Sequence, residues 1–137
     1  MSGSATVTAD AFIVARLTAD TVLAAMTVWA EAAPVDQPFP FVLATSQDAP
    51  VNLGVGGTII DTACLYVVRV VMRADSYLPL RDAADRIQTQ LHGATNPSAP
   101  GGAVWESVRL GEFRLLEQGS GVPPVRHLGG LFRVMVT

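Results

Sequence analysis

Apolar positions recur along this chain with two different periods, and the changes of period mark its elements. Across residues 10–29, Phe12, Ile13, Leu17, Val22, Leu23 and Met26 fall close to the helical repeat. A first helix is expected there, N-capped by Thr8 or Asp10 and ended before Pro34. Pro38, Pro40 and Pro50 bracket Phe41-Val42-Leu43-Ala44-Thr45, a β-prone run suited to a strand near a sheet edge. Residues 58–72, TIIDTACLYVVRVVM, are rich in β-branched side chains and predict a long central strand. Strand alternation puts Cys64, Tyr66, Val68, Val70 and Met72 on one face, and Leu65, Val67, Arg69, Val71 and Arg73 on the other. From residue 79 to 92 the period returns to helical. Leu80, Ala83, Ala84, Ile87 and Leu91 share a face, Arg81, Asp82, Asp85 and Arg86 oppose them, Pro79 opens the helix and Gly93 stops it. Residues 104–118 and 131–137 read as two more strands joined by a turn region over 119–130. The expected fold is α+β: two helices packed on a mostly antiparallel sheet of about four strands, in the order α-β-β-α-β-β.

A length of 137 residues gives one domain, 1–137, able to bury about two thirds of its unfolded surface. Residues 1–9 are small and polar and are expected to form a flexible N-terminal segment; they lack the basic and apolar regions of a secretory signal. Half the residues are apolar and 15% are charged, and mean hydropathy is +0.37. That composition excludes a disordered chain, and no apolar run approaches the roughly 18 residues of a membrane span. A small apolar domain with one cysteine, hence no disulfide framework or cysteine cage, suggests apolar surface buried between chains.

All nine basic residues are arginine, so chemistry that needs a lysine amine, including Schiff bases and the P-loop, is ruled out. Net charge is −3 with no basic stretch, against a nucleic-acid reader. Gly54-Val55-Gly56-Gly57 lacks the strand and helix that a phosphate cradle needs. His92 and His127 have no third metal ligand at a recognisable spacing, and His92 suits a helix C-terminus. Cys64 points into a sheet face as inert packing, and no serine sits in a nucleophile elbow. No catalytic, cofactor or metal residue is expected.

Two other groups stand out. Arg69 and Arg73 share the second, otherwise apolar face of the central strand, and Arg109 continues the theme on the next strand. They are candidates for a subunit boundary or a surface facing a lumen, and truncating Arg69 and Arg73 is expected to spare the fold. Val51, Asn52, Leu53, Gly54, Val55, Gly56 and Gly57 form one flexible loop, and Pro97 and Pro100 mark another across residues 94–102. Both are expected to be mobile when free and ordered when docked.

Three patterns in sequence order carry a resemblance. They are Pro38-Phe39-Pro40-Phe41-Val42-Leu43; the run Leu65-Tyr66-Val67-Val68-Arg69-Val70-Val71 followed by Asp82-Ala83-Ala84-Asp85-Arg86-Ile87 and Leu91-His92-Gly93; and Arg126-His127-Leu128-Gly129-Gly130-Leu131-Phe132-Arg133-Val134. With these the chain resembles, over nearly its whole length, the tail terminator proteins of long-tailed bacteriophages and gene transfer agents. The resemblance implies a structural virion protein without cofactor that caps the tail tube as a ring, typically a hexamer. Its partners would be its own copies, the tail tube protein and a head-tail connector protein, with DNA passing through the lumen without sequence-specific binding and no membrane involved. Its place would be the tail at the head-tail junction, assembled in the host bacterial cytoplasm. Head-tail connector and stopper proteins share this size and composition, and a small α+β ligand-binding or enzymatic domain is the alternative of a different class.

Overall fold

The long central strand organises the molecule. In the computed structural model, which describes residues 2–98, 102–117 and 123–137, it runs over Ile59–Arg73 (β4). The other elements, in chain order, are helices α1 (Ser2–Thr18) and α2 (Thr21–Met26), strands β1 (Val28–Ala30), β2 (Phe41–Asp48) and β3 (Val51–Leu53), helix α3 (Arg81–Leu91), and strands β5 (Val104–Glu117) and β6 (Val125–Val136). Short 3-10 turns precede β4 at Val55–Gly57 and α3 at Leu78–Leu80. Among the described residues the sheet has six strands, in the order β1-β2-β4-β6-β5, with β3 also paired to β4. Every pairing is antiparallel except β1 with β2.

The alternation read along the central strand holds. Cys64, Tyr66, Val68 and Val70 join the main core, with Val42 and Ala44 of β2 and Phe132, Val134 and Val136 of β6. The helices close that core with Ala9, Phe12, Ile13 and Leu17 of α1, Leu23 of α2, and Ala83, Ile87 and Leu91 of α3. Burying a Leu, Ile or Phe of this kind contributes roughly 1.5–3 kcal/mol. Among the described residues no helix is long and apolar enough to cross a membrane.

The α+β class stands, and several boundaries differ from the sequence reading. The first helix is not one element over 10–29. It starts at Ser2, so Thr8 and Asp10 lie inside it rather than capping it; Thr8 and Ala9 are buried. It breaks at Asp20, whose carboxylate accepts the N–H groups of Val22 at 3.0 Å and Leu23 at 3.2 Å and so caps a new helix. Arg86 of α3 reaches the same carboxylate at 3.1 Å and also Asp82 at 2.9 Å, so the charged face read opposite the apolar stripe of α3 also ties α3 to α2. Burial alone would raise the Asp20 carboxyl, but the Leu23 N–H, Arg86 and the Val22 N–H together hold it below its usual range. Thr27, at φ 70°, ends α2, and β-prone Val28 and Trp29 then pair with β2 as a strand no helical pattern revealed.

The sheet therefore has more strands than the four expected. Pro79 lies in the 3-10 turn, and α3 proper follows it. The expected turn over 119–130 also differs: residues 125–130 belong to β6, and residues 118–122 lie outside the described residues. The pair Gly129-Gly130 looks like a turn signal and serves close packing instead. A Cβ on Gly129 would lie 1.9 Å from the Val68 carbonyl oxygen and 2.6 Å from Arg69 Cα. Only glycine lets β6 and β4 approach so closely there.

Candidate functional site

The sheet face opposite the helices carries the first candidate surface. Among the described residues no helix covers it. Register brings Phe41, Leu43 and Thr45 of β2, Leu65, Val67, Arg69 and Val71 of β4, His127 and Leu131 of β6, and Phe113 and Leu115 of β5 onto this side. Arg69 is its hub. Its Nε donates to His127 Nδ1 at 3.2 Å, its Nη1 donates to Thr45 Oγ1 at 3.1 Å, and the guanidinium stacks 5.5 Å from the Phe113 ring centroid. Because Nδ1 of His127 accepts, the ring proton sits on Nε2, which donates to Glu117 Oε1 at 2.8 Å. Burial holds His127 below its ordinary value, helped by the Arg69 charge and opposed by Glu117. Burial also lowers Arg69, against the pull of Glu117. Val67 and Val71 flank this network and are only 5% and 2% exposed. Arg73 is on the same face but at its margin: it is exposed, donates to the Pro123 carbonyl at 3.1 Å and stacks 5.3 Å from Phe39.

The second candidate surface is a tongue made by β3, the turn at Val55–Gly57 and the start of β4. The sequence read its first part as a loop. Instead Val51, Asn52 and Leu53 pair with Thr62, Asp61 and Ile59, because the Pro50 carbonyl accepts the Ala63 N–H at 2.9 Å and carries the β4 ladder onward. The Asn52 side-chain amide donates to the Asp61 carboxylate, which is buried beneath it. At the tip the Gly54 N–H donates to the Thr58 carbonyl at 2.7 Å, and Gly56 and Gly57 take φ of 84° and 81°, a region that favours glycine. Val51, Leu53, Val55, Ile59 and Ile60 are all exposed, Val55 fully. Five large apolar side chains in ten residues exceed the scatter of single apolar residues on an ordinary surface.

Arg109 is not with the other two arginines. It lies on the helix side of the sheet, across from Phe132 of β6, in a groove of about 350 Å³ between α3 and β5–β6. Arg81, Asp85, Gln88, Glu112 and Arg114 share that groove. Arg114 pairs with Glu112 at 3.3 Å and stacks 4.6 Å from Tyr77, whereas the Arg81 and Arg109 side chains have no partner among the described residues. Pro97 is exposed in a turn where Asn96 Oδ1 accepts the Ser98 N–H at 3.2 Å, and Pro100 lies outside the described residues.

The remaining polar groups are structural in their surroundings. Burial pushes the Cys64 thiol up to about 11, so it stays protonated and unreactive at neutral pH. The Tyr66 hydroxyl donates to the Asp10 carboxylate, pinning α1 to β4, and burial followed by Asp10 holds the phenol well above its usual range. Burial also raises the Glu31 carboxyl, with Asp10 adding to it. His92 does not serve the end of α3 through its ring: its Nδ1 accepts the backbone N–H of Arg109 at 3.1 Å. Among the described residues no three His, Cys, Asp or Glu side chains group to hold a metal ion. Sequence reasoning missed His127, Thr45, Phe113 and Glu117 as the company of Arg69. Period-2 alternation extended back through residues 125–130 would have placed His127 on the arginine face.

No protein-family model matches the chain, and no curated protein matches it. Among solved structures it is similar to a chain from the virion of a native gene transfer agent particle, with 20% identity and a TM-score of 0.62. The likeness covers 93% of this chain and 92% of that one, and at such identity it is a likeness of fold.

Proposed function

We propose that this chain is a structural protein of a tailed, phage-like particle: a tail terminator whose copies form a ring that caps the tail tube and joins it to the head connector. The observation that carries the reading is the placement of exposed apolar groups. Val51, Leu53, Val55, Ile59 and Ile60 lie together on the tongue and Leu115 and Leu131 on the helix-free sheet face, where another protein can cover them, rather than around a pocket of converging reactive groups. The shared fold with a chain of a gene transfer agent virion supports the same reading over nearly the full length. In this account the ring is a hexamer, DNA passes through its lumen without base-specific contact, no cofactor takes part, and the role is assembly rather than catalysis.

Loss of the chain from producing cells should leave tubes of uncontrolled length that are not joined to heads. Tails of normal length, joined to heads, would contradict the proposal. Tubes of normal length that fail only to join would favour a connector or stopper role. One observation favours a ligand-binding reading, namely the two unpartnered arginines in the groove beside α3. Calorimetric titration with small carboxylates or phosphates separates it: saturable binding abolished by Arg109→Ala supports that reading, and no heat removes it.

A further inference from the structure

Strand β5 is an edge strand of fourteen residues, and its two halves are finished differently. Along the first half the outward backbone groups are taken. Val104 exchanges two hydrogen bonds of 2.8 Å with Asn96, the Ser107 carbonyl accepts the Gly93 N–H at 2.7 Å, and the Arg109 N–H donates to His92. These three residues stand opposite Val136, Val134 and Phe132 of β6. In an antiparallel ladder every second pair turns its outer groups away, so past the irregularity at Leu110 the residues opposite Gly130, Leu128 and Arg126 do the same. Those are Glu112, Arg114 and Leu116. Among the described residues nothing bonds to their N–H and C=O groups.

Native proteins blunt a sheet edge where it must stay free, and a long uncovered edge is a template for another strand. The other side of the sheet offers such a strand. There β1 is three residues long and its last carbonyl, Ala30, is taken by the Ala32 N–H. By contrast β3 pairs with β4 alone. Since the Pro50 carbonyl faces β4, alternation turns the Val51 N–H outward. Both open edges carry exposed apolar side chains, Leu110 and Leu115 beside one, Val51 and Leu53 on the other.

We infer that residues 112–116 of β5 accept strand β3 of a second copy of this chain, so that the sheets of neighbouring copies join edge to edge. The inference rests on the ring reading and gives it a contact: the joined surfaces are two different patches, the kind of contact that closes into a ring when repeated. Backbone bonds supply the contact, and the apolar tongue lies across the neighbour's Leu115 side.

Proline tests it without touching the chain's own ladders, because it is tolerated where the N–H faces solvent. Arg114→Pro blocks the accepting edge and Val51→Pro the donating one, with Arg114→Ala as control. By light scattering and native mass spectrometry the parent and the control should form the same concentration-dependent assembly, and each proline variant alone should stay monomeric. An equimolar mixture of the two proline variants should stop at a heterodimer, since each keeps one working edge. Val51→Pro chains that still dimerise would mean that β5 pairs with β5, which overturns the inference, as would a parent that is monomeric at millimolar concentration. A second measurement needs no variant: amide exchange at residues 112, 114 and 116 should slow at least tenfold on assembly. Rings whose three amides exchange at unprotected rates overturn the edge contact and leave the ring reading standing, whereas edge-joined copies that never cap a tube do the reverse.

Discussion

Arg69 and Arg73 look equivalent in the sequence, four residues apart on one strand face, and they should behave very differently when cut to alanine. Arg69→Ala removes donors from His127 Nδ1 and Thr45 Oγ1, at 3.2 and 3.1 Å, and the cation from the face of Phe113. The residue left behind matters most. His127 is 6% exposed, and an unsatisfied acceptor in that setting costs about 1–3 kcal/mol. Loss of the cation–π contact adds roughly 0.5–1 kcal/mol, and release of a charge whose burial is unfavourable returns part of the total. The net expectation is about 2–3 kcal/mol, or a fall in Tm of about 8–12 °C at roughly 4 °C per kcal/mol for a domain of this size. Arg73 is exposed, with one carbonyl bond and one ring contact at the margin, and its removal should cost under about 1 kcal/mol. Urea unfolding followed by circular dichroism measures both, and a cycle with His127→Gln measures the coupling, expected to exceed about 1 kcal/mol for Arg69 and to vanish for Arg73. Equal losses at the two arginines, or additive effects of Arg69→Ala and His127→Gln, would refute the network. Arg73→Ala is therefore the cleaner probe of assembly, because it leaves the fold unburdened.

The same network has a pH signature. His127 titrates lower in the folded chain than when unfolded, so its contribution is fully present above about pH 6.5 and is lost as the pH falls through the lowered folded value. Tm should fall between pH 7.5 and pH 5, and His127→Gln should flatten that slope; an unchanged slope would remove His127 as its source. Gly129→Ala sets a Cβ against the β4 backbone and should cost more than about 3 kcal/mol, whereas Gly111→Ala, whose Cβ would meet only Leu131 at 3.9 Å, should stay within about 1 kcal/mol of the parent. Similar melting temperatures for the two variants would contradict the close approach of β4 and β6. Asp20→Ala removes a helix cap and the inner partner of Arg86 together and should lower the denaturation midpoint in the same assay, with no change expected if the cap is idle.

Elements whose signal is local were legible in the sequence. Strand β4 announces itself because its fifteen residues are rich in β-branched side chains and hold no glycine or proline, and α3 because Leu80, Ala83, Ile87 and Leu91 keep one face while charges keep the other. What escaped depends on partners distant in sequence. Val51 and Leu53 look like part of a loop until Thr62 and Ile59 are placed beside them, and Gly129-Gly130 looks like a turn until Val68 comes within reach. The separation of Arg109 from Arg69 was hidden for a related reason. Its face is set by the β5–β6 register, which is shifted between Val104 and Glu106 and again between Arg109 and Gly111, so counting by twos from one strand to the next has no fixed origin. The break of the first helix at Asp20 was written locally as an Asx cap, but the continuing apolar spacing through Val22, Leu23 and Met26 masked it.

Cryo-electron microscopy of particles assembled with this chain would show where its copies sit. A single closed ring of copies, six by the terminator reading, is expected at the head-proximal end of the tail tube. In that ring the tongue at residues 51–60 should be covered by protein and β5 should lie beside a neighbour's β3. Particles complete without the chain, or density for it away from the tube end, would exclude a terminator role.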